Sequence, residues 1–215
     1  MRLWYRGWQC VTRAVFCALF QVRAIGRENV PQTGPVLLVS NHQSYMDPPL
    51  CGAGLNRELD YIAREDLFHQ PLFARYIRSL NAFPIQRDAA DIKAIKTIIN
   101  RLNDGRAIVL FPEGTRSATG RIGEIKSGIE LIARRSNAVT VPVVIDGAFE
   151  AWPRQNLLPS LGRIFICYGE PIPPEQARTM AKGEYVAIIN QRLQSMQREL
   201  RVRYGRKPIE AEAAL

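Results

Sequence analysis

A histidine and an aspartate lie close together in residues 41–48, whose sequence is Asn-His-Gln-Ser-Tyr-Met-Asp-Pro. The segment follows an apolar run over 36–39, which predicts a buried strand ending near residue 40. A carboxylate that accepts a hydrogen bond from one imidazole nitrogen fixes the tautomer and leaves the other nitrogen free to take a proton. His42 and Asp47 are therefore candidates for a general base and the group that orients it.

The spacing of this pair restricts the structures in which it can form. Five residues turn about 140° on an α-helix, so the two side chains would not share a helical face. They can meet only in a loop or tight turn, as the strand before them and the prolines after them favour. In the alternative interpretation, Asp47 caps a helix that begins at Pro48, and His42 is an ordinary polar loop residue. A metal site is not expected, because the chain has two histidines and no His/Cys cluster.

Arginines follow two further predicted strands. Residues 111–117 read Phe-Pro-Glu-Gly-Thr-Arg-Ser, and the guanidinium of Arg116 with the hydroxyls beside it could hold a phosphate. Arg87 likewise follows the apolar run 82–85. The alternatives are a polar turn at 111–117 and an ion pair of Arg87 with Asp88 or Asp91.

Short apolar runs alternate with helical patterns along the chain, which predicts an α/β domain. We expect a single domain with a central mixed, mostly parallel sheet flanked by helices. The predicted strands cover residues 36–40, 61–63, 82–86, 107–111, 139–145 and 163–168. The predicted helices cover residues 48–55, 67–80 with a break at Pro71, 88–102 with Asp88 as the cap, 127–135 and 185–200. Because the candidate residues all follow strands, we expect them to converge at one edge of the sheet.

An amphipathic helix is predicted at the N-terminus. Its apolar stripe consists of Trp4, Trp8, Val11, Val15, Leu19 and Val22, and Arg2, Arg6 and Arg13 lie on the opposite side. Such a helix either lies in a bilayer interface or packs on the domain. Phe16 and Phe20 widen the apolar surface, which favours the interface. We therefore predict a membrane-interface helix over 1–27, the α/β domain over 28–207 and a frayed tail over 208–215.

Composition limits the partners and the compartment. The chain has 29 basic and 20 acidic residues, a formal charge of +9 that suits phosphorylated molecules, acidic lipid surfaces or nucleic acid. Nucleic acid is disfavoured, because the arginines are dispersed among apolar runs. The four scattered cysteines indicate reduced thiols in a cytosolic setting. The uncharged stretch over 14–22 is shorter than the roughly 20 residues of a spanning helix, and no signal-peptide cleavage site follows it.

Several segments together resemble the glycerolipid acyltransferases, the lysophosphatidic acid acyltransferase family. Residues 41–48 resemble the first sequence block of that family, 82–88 the second, 111–117 the third and 141–143 the fourth. Residues 125–128, Ile-Lys-Ser-Gly, are similar to the segment that usually follows the third block. The blocks occur in order between about residues 30 and 173, and the first and third are highly specific as a pair.

The resemblance implies acyl transfer from a thioester, either acyl-CoA or an acyl carrier protein, to a glycerolipid hydroxyl. His42 would take the proton from that hydroxyl, and Asp47 would orient and stabilise the imidazolium. Neither an acyl-enzyme nor a cofactor or metal is required, so no cysteine has to act as a nucleophile. The implied substrate-binding residues are Arg87 and Arg116 for the acceptor phosphate, and Glu113, Gly114 and Thr115 for the shape of the acceptor site.

The resemblance implies 1-acyl-sn-glycerol-3-phosphate as the acceptor and phosphatidic acid as the product. Arg64 stands where the family often has lysine, and its planar fork is assigned to the acceptor head group. Another lysolipid acceptor, such as a lyso-ornithine lipid or a different lysophospholipid, remains an alternative. A non-catalytic module that binds acidic membranes is the alternative from another class. We expect peripheral attachment to the cytoplasmic face of a bacterial cell membrane.

Overall fold

The computed structural model describes residues 2–85 and 92–209. The strands are β1 (Arg23–Ile25), β2 (Val36–Ser40), β3 (Asp60–Arg64), β4 (Ala82–Ile85), β5 (Ala107–Leu110), β6 (Val139–Asp146) and β7 (Phe165–Tyr168). The helices are α1 (Leu3–Phe20), α2 (Asp47–Ala53), α3 (Pro71–Ser79), α4 (Ile92–Asn103), α5 (Gly128–Arg135), α6 (Ala148–Ala151), α7 (Pro174–Thr179) and α8 (Glu184–Arg203). Short 3₁₀ helices cover Arg27–Asn29 and Glu65–Phe68.

The strands form one mixed sheet in the order β1-β7-β6-β2-β5-β3-β4. From β6 to β4 all neighbouring strands are parallel. β7 is antiparallel to β6, and β1 is parallel to β7, so these two strands run against the other five. The predicted fold class, a mostly parallel mixed sheet flanked by helices, is confirmed.

The sheet is covered on both faces, which explains the continuous apolar sequence of β2. Successive side chains of a strand point to opposite faces. Val36 and Leu38 pack in the core beneath α1 and α2, whereas Leu37 and Val39 pack in the core beneath α4, α5 and α8. All five residues of β2 are buried, as is typical of parallel strands between two helical layers.

The predicted elements are present, and the differences have local causes. Gln21 adopts a left-handed conformation (φ 44°), so α1 ends at Phe20 and the unpredicted strand β1 follows at residue 23. Pro71 lies in the first turn of α3, where its missing N–H costs nothing, so the predicted break is the start of the helix. The short helices α6 and α7 were not predicted. The predicted cap Asp88 lies outside the described residues.

Helix α1 packs on the domain through the side that carries Tyr5, Gln9 and Thr12, and it leaves most of its apolar stripe exposed. Of the predicted stripe, Trp8 instead packs against Tyr76 and Val22 against the core. Gln9 donates to the carbonyls of Gly52 (2.9 Å) and Leu55 (2.8 Å), and Arg13 donates to that of Ala53 (2.5 Å). The last carbonyls of a helix have no partner within it, so these bonds complete the C-terminal end of α2. The most exposed large apolar residues of α1 are Leu3, Trp4, Val11, Val15 and Leu19.

This arrangement combines the two predicted alternatives and corrects one detail. Most of the stripe remains available, and of the three arginines only Arg13 is partly buried, whereas Arg2 and Arg6 are exposed. Phe20 is buried in the core and Phe16 packs against it, so neither residue widens the exposed surface. Across residues 2–85 and 92–209, no helix has the length and apolar character required to span a bilayer.

Candidate active site

The loops that follow β2, β3 and β5 open at the same edge of the sheet because these strands are parallel neighbours. His42, Arg64 and Arg116 follow or end three different strands, and all three line one cavity of about 590 Å³ together with Thr115. Arg87 lies outside the described residues, although β4, the strand that precedes it, pairs with β3. The structure therefore brings together four of the predicted residues at the expected edge.

Asn41 fixes the point at which the first of these loops leaves the sheet. Its buried side-chain amide donates to the carbonyl of Ile145 (2.9 Å) and accepts from the backbone N–H of the same residue (2.8 Å). These two bonds continue the pairing between β2 and β6 beyond the last residue of β2. His42 therefore starts from a fixed backbone position.

The loop from His42 to Asp47 curls around the aspartate carboxylate. Oδ2 of Asp47 lies 2.8 Å from Nδ1 of His42 and accepts from the backbone N–H groups of Gln43 (2.5 Å) and Ser44 (2.7 Å). Asp47 is fully buried. The carboxylate can only accept, so Nδ1 carries the proton and Nε2 is left as a basic nitrogen.

The alternative role for Asp47, capping of the helix after it, is contradicted. α2 begins at Asp47 itself, and its N-terminus has no side-chain capping bond. Both loop N–H groups that the carboxylate binds precede it in sequence. The aspartate therefore organises the histidine loop and not the first turn of α2.

Residues 111–117 hold His42 from two sides. The Phe111 ring stacks on the imidazole, with centroids 4.2 Å apart and planes at 20°. The backbone N–H of His42 donates to Oε1 of Glu113 (2.8 Å), and its carbonyl accepts from the N–H of Ser117 (2.7 Å). We assigned Phe111 no role from sequence; its place directly after β5, in a segment already singled out, was the available signal.

Glu113 lies behind the histidine loop and is not part of the cavity lining. Its second carboxylate oxygen accepts from the backbone N–H of Gly123 (2.9 Å), so it joins two loops. Burial raises the pKa of Glu113 to about 7, against the opposing effect of the two N–H bonds. The side chain of Glu113 therefore links the backbone at His42 to the backbone at Gly123.

Gly114 makes the tight turn after Glu113 possible. Its φ of +72° lies in the left-handed region, and a Cβ atom there would sit 2.8 Å from Nζ of Lys126. The ammonium of Lys126 therefore lies directly over this turn. Lys126 belongs to the segment 125–128, and it was not assigned a role from sequence.

Arg116 is stacked on an aromatic ring and retains an unpaired donor. Its guanidinium carbon lies 3.5 Å from the centroid of the Tyr45 ring, and that ring contacts Trp152. Nη1 of Arg116 is buried and has no hydrogen-bond partner among the described residues. A held guanidinium with a free donor beside a cavity is suited to an anionic ligand.

Arg64 differs from Arg116 because its charge already has a partner. The exposed guanidinium makes two bonds to the carboxylate of Asp66, at 2.8 and 2.6 Å. Both residues line the rim of the cavity. This ion pair is solvent-exposed and weak, so an anionic group could compete for it.

The cavity runs from His42 beneath α1 and α3 and is mainly apolar. At one wall the hydroxyls of Tyr5 and Tyr61 lie 3.2 Å apart. Its apolar lining includes Trp8, Pro48, Pro49, Ala63, Leu67, Phe73, Ile77 and Leu80. Such a lining can hold an extended hydrocarbon chain beside the imidazole.

The other groups that could do chemistry near this site are inert or absent. Burial raises the pKa of the Cys51 thiol to about 12, so it is protonated and a poor nucleophile. In the part of the chain that the structure describes, no three His, Cys, Asp or Glu side chains cluster as metal ligands would. His42 is therefore the reactive group best placed to act at the cavity.

Comparison with known proteins gives consistent matches. A family model described as Acyltransferase matches residues 21–146, more than half of the chain. The 1-acyl-sn-glycerol-3-phosphate acyltransferase of Bacillus subtilis is 26% identical over 184 residues, 83% of this chain and 89% of that protein. The chloroplast enzyme of the same name, LPAT1, from Arabidopsis thaliana is 28% identical over 137 residues, which are 62% of this chain and 38% of that longer protein.

A solved structure agrees with these matches. The crystal structure of the 1-acyl-sn-glycerophosphate (LPA) acyltransferase PlsC from Thermotoga maritima superposes with a TM-score of 0.81 and 27% identity. The match covers 92% of this chain and 79% of that one. On the family model, the relatives and the fold, this chain belongs to the acyltransferase family of enzymes.

Proposed function

We propose that this protein transfers a fatty acyl chain from a thioester to the free hydroxyl of 1-acyl-sn-glycerol-3-phosphate, giving phosphatidic acid. The observation that carries the proposal is the imidazole of His42. It is bonded to buried Asp47 and lines an apolar cavity together with Arg116, whose Nη1 has no hydrogen-bond partner among the described residues. The activity for which the Bacillus and Thermotoga relatives are named supports the same reaction.

The reaction needs one base and no covalent intermediate on the protein. Nε2 of His42 takes the proton as the acceptor hydroxyl oxygen attacks the thioester carbonyl carbon. The carbonyl electron pair moves to oxygen, and its return breaks the carbon–sulfur bond. The leaving thiolate takes the proton from the imidazolium, so an ester and a free thiol are formed. Asp47 stabilises the imidazolium while it exists.

The donor is either acyl-CoA or an acyl carrier protein, because both present the same thioester to the base. The acyl chain occupies the apolar cavity beneath α1 and α3. Such a chain adds no charge, so its recognition rests on burial of apolar surface.

The acceptor phosphate binds to the arginine side of the cavity. Arg116 supplies the unpaired donor, Thr115 a hydroxyl, and Arg64 a charge at the rim. Arg87 is proposed for the same phosphate because it follows β4, the neighbour of β3. Glu113 and Gly114 shape the site indirectly, through the backbone of His42 and the turn that carries Arg116.

The proposed cellular position is peripheral, on the cytoplasmic face of a bacterial membrane. The exposed stripe of α1 carries Trp4, Val11, Val15 and Leu19, side chains suited to a bilayer interface. The acceptor is a lipid, and the net charge of +9 favours the acidic leaflet.

A panel of acceptors with labelled acyl-CoA and labelled acyl carrier protein tests the proposal. We expect 1-acyl-sn-glycerol-3-phosphate to be the preferred acceptor over lysophosphatidylcholine and a lyso-ornithine lipid. Preference for an acceptor without a phosphate monoester would contradict the proposed substrate.

The same assay with two histidine variants tests the mechanism. Loss of the base in His42→Ala should lower turnover about 1,000-fold. His69→Ala is the matched control, because the other histidine of the chain is exposed and does not line the cavity. A turnover rate of the His42→Ala variant equal to that of wild type would contradict the proposed mechanism.

A further inference from the structure

The loop between α6 and β7 exposes three leucines. Leu157, Leu158 and Leu161 are 92%, 78% and 79% exposed. We call residues 152–164 the leucine loop. Scattered apolar side chains are ordinary on a protein surface, but a cluster of large ones indicates an interaction site.

The backbone of the leucine loop is tied into a defined shape. The N–H of Ser160 donates to the carbonyl of Ala151 (2.7 Å), which closes the loop at its base. Within it, the indole of Trp152 donates to the carbonyl of Asn156 (3.0 Å). The leucines are thus held outward by a folded loop and do not turn back onto the core.

The leucine loop begins beside the active site. The carbonyl of Trp152 accepts from the hydroxyl of Ser44 (2.9 Å), within the histidine loop, and the Trp152 ring contacts Tyr45. Gln155 donates to the carbonyl of Ala118 (3.4 Å), just beyond the segment 111–117. The leucine loop therefore flanks both loops that form the catalytic edge.

The other end of the leucine loop meets α1. The N–H of Ile164 donates to the carbonyl of Phe20, the last residue of that helix, at 3.0 Å. Leu19 and Val15, in the final turns of α1, are about half exposed. The loop that carries the three leucines thus adjoins the C-terminal end of that apolar stripe.

The charge around these leucines is positive. Arg154 and Arg163 are exposed within the loop, and the sequence contains no acidic residue between Glu150 and Glu170. Apolar side chains flanked by arginines match a bilayer with anionic head groups.

We propose that the leucine loop is a second membrane anchor, which inserts Leu157, Leu158 and Leu161 into an anionic bilayer next to α1. The proposal rests on the proposed function, since an acceptor that resides in the membrane requires the catalytic edge to face it. Two anchors together fix the orientation of the domain, and with it that of His42, relative to the lipid surface, whereas one helix alone would leave the domain free to tilt.

The test replaces all three leucines by glutamine. Sedimentation measures binding to vesicles of phosphatidylcholine, alone or mixed with phosphatidylglycerol. Turnover is measured with acceptor in vesicles and with a short-chain acceptor dissolved below its micelle concentration. The control is Leu131→Gln with Val202→Gln, two exposed apolar residues on α5 and α8 under the other face of the sheet.

We expect the leucine-loop variant to bind mixed vesicles at least about tenfold more weakly, since three apolar side chains lose their burial. Turnover of the vesicle acceptor should fall in parallel, and turnover of the dissolved acceptor and the unfolding temperature should match wild type. Unchanged vesicle binding would overturn the inference. If wild type is a dimer, the variant is a monomer and vesicle binding is unchanged, the leucines form an interface between two copies of the chain and not a membrane anchor. If wild type acylates neither acceptor, the proposed function fails, and vesicle binding still tests the loop.

Discussion

Two buried aspartates differ in the partners that this fold gives to their carboxylates. Asp146, at the end of β6, has both oxygens paired: Oδ1 with Arg201 and Oδ2 with Arg206, each at 2.6 Å. Among the described residues, Asp47 has no arginine or lysine partner; one oxygen accepts from His42 and two backbone N–H groups. Its other oxygen is buried without a partner in the same part of the chain. The first carboxylate is paired with two arginines, and the second is, in the proposed mechanism, the group that stabilises a charge on His42.

Unpaired buried atoms concentrate at the catalytic edge. Besides Oδ1 of Asp47, they include Oε1 of Gln43 and Nη1 of Arg116. Buried polar groups in folded proteins are normally hydrogen-bonded, and exceptions call for an explanation. Arg116 lines the cavity, so the proposed acceptor phosphate would supply the partner of its Nη1, whereas both oxygens of Asp146 are already paired within the protein.

The largest expected effect separates the two aspartates by activity. In Asp47→Asn, the side-chain oxygen takes the place of Oδ2, because two backbone N–H groups and Nδ1 of His42 all donate to that one position. The hydrogen bonds are kept, but the negative charge that would stabilise the imidazolium is lost. We expect turnover to fall about 100- to 1,000-fold with the free energy of unfolding changed by less than about 1 kcal/mol. Steady-state kinetics and urea unfolding measure both; full activity would remove Asp47 from the mechanism.

Asp146→Asn should lower the free energy of unfolding and leave turnover unchanged, the opposite of what is expected for Asp47→Asn. The change leaves the guanidinium of Arg201 largely buried with only Glu150 as a carboxylate partner. Breaking a buried ion pair costs about 3 kcal/mol of unfolding free energy, and turnover per folded molecule should be retained. The control Glu150→Gln removes a half-exposed partner and should cost less than about 1 kcal/mol. If Asp146→Asn instead impairs catalysis as strongly as Asp47→Asn, the comparison fails.

A smaller effect, on substrate binding, is expected from Arg116→Ala. Loss of a charged hydrogen bond to the acceptor phosphate should raise its KM about 10- to 100-fold. The KM of the thioester donor should stay near wild type. Arg198→Ala is the control, since this exposed arginine lies on α8, away from the cavity. An equal increase in both KM values would indicate that Arg116 acts through general disruption of the site.

The strand ends were predictable from sequence because alternation and apolar runs are local signals. The apolar run 36–39 predicted β2, and the five-residue spacing required His42 and Asp47 to meet in a loop. Partners distant in sequence were not predictable: Phe111 stacks on His42, and Tyr45 lies between Arg116 and Trp152. The sequence next to an aromatic residue does not indicate which distant side chain its ring will contact.

The orientation of α1 was also beyond local pattern. Periodicity identified an apolar stripe and an arginine side, and it favoured a bilayer interface over packing on the domain for the stripe. The helix packs on the domain through another side, from which Gln9 and Arg13 donate to carbonyl groups at the end of α2 that lack partners within that helix. The need of these carbonyl groups for hydrogen-bond donors is apparent only when the position of α2 beneath α1 is known.

Glu113 is a third kind of buried carboxylate, and its predicted effect is a pH dependence of stability. Within the described residues it has neither an arginine nor a histidine side chain as a partner and accepts from the backbone of His42 and Gly123. Because burial outweighs these two bonds, its pKa rises from an ordinary 4.5 to about 7. The folded protein therefore holds this proton up to about pH 7, whereas the unfolded chain releases it near pH 4.5.

Between these two pH values the folded state binds more protons, so this group makes the free energy of unfolding fall as the pH rises. Relative to Glu113→Gln, wild type should lose about 2 to 3 kcal/mol between pH 4.5 and pH 7 and change little above that. Urea unfolding at a series of pH values measures the difference, with exposed Glu175→Gln as the control. A difference that grows in favour of wild type over this range would mean that the backbone bonds outweigh burial and hold Glu113 in its charged form.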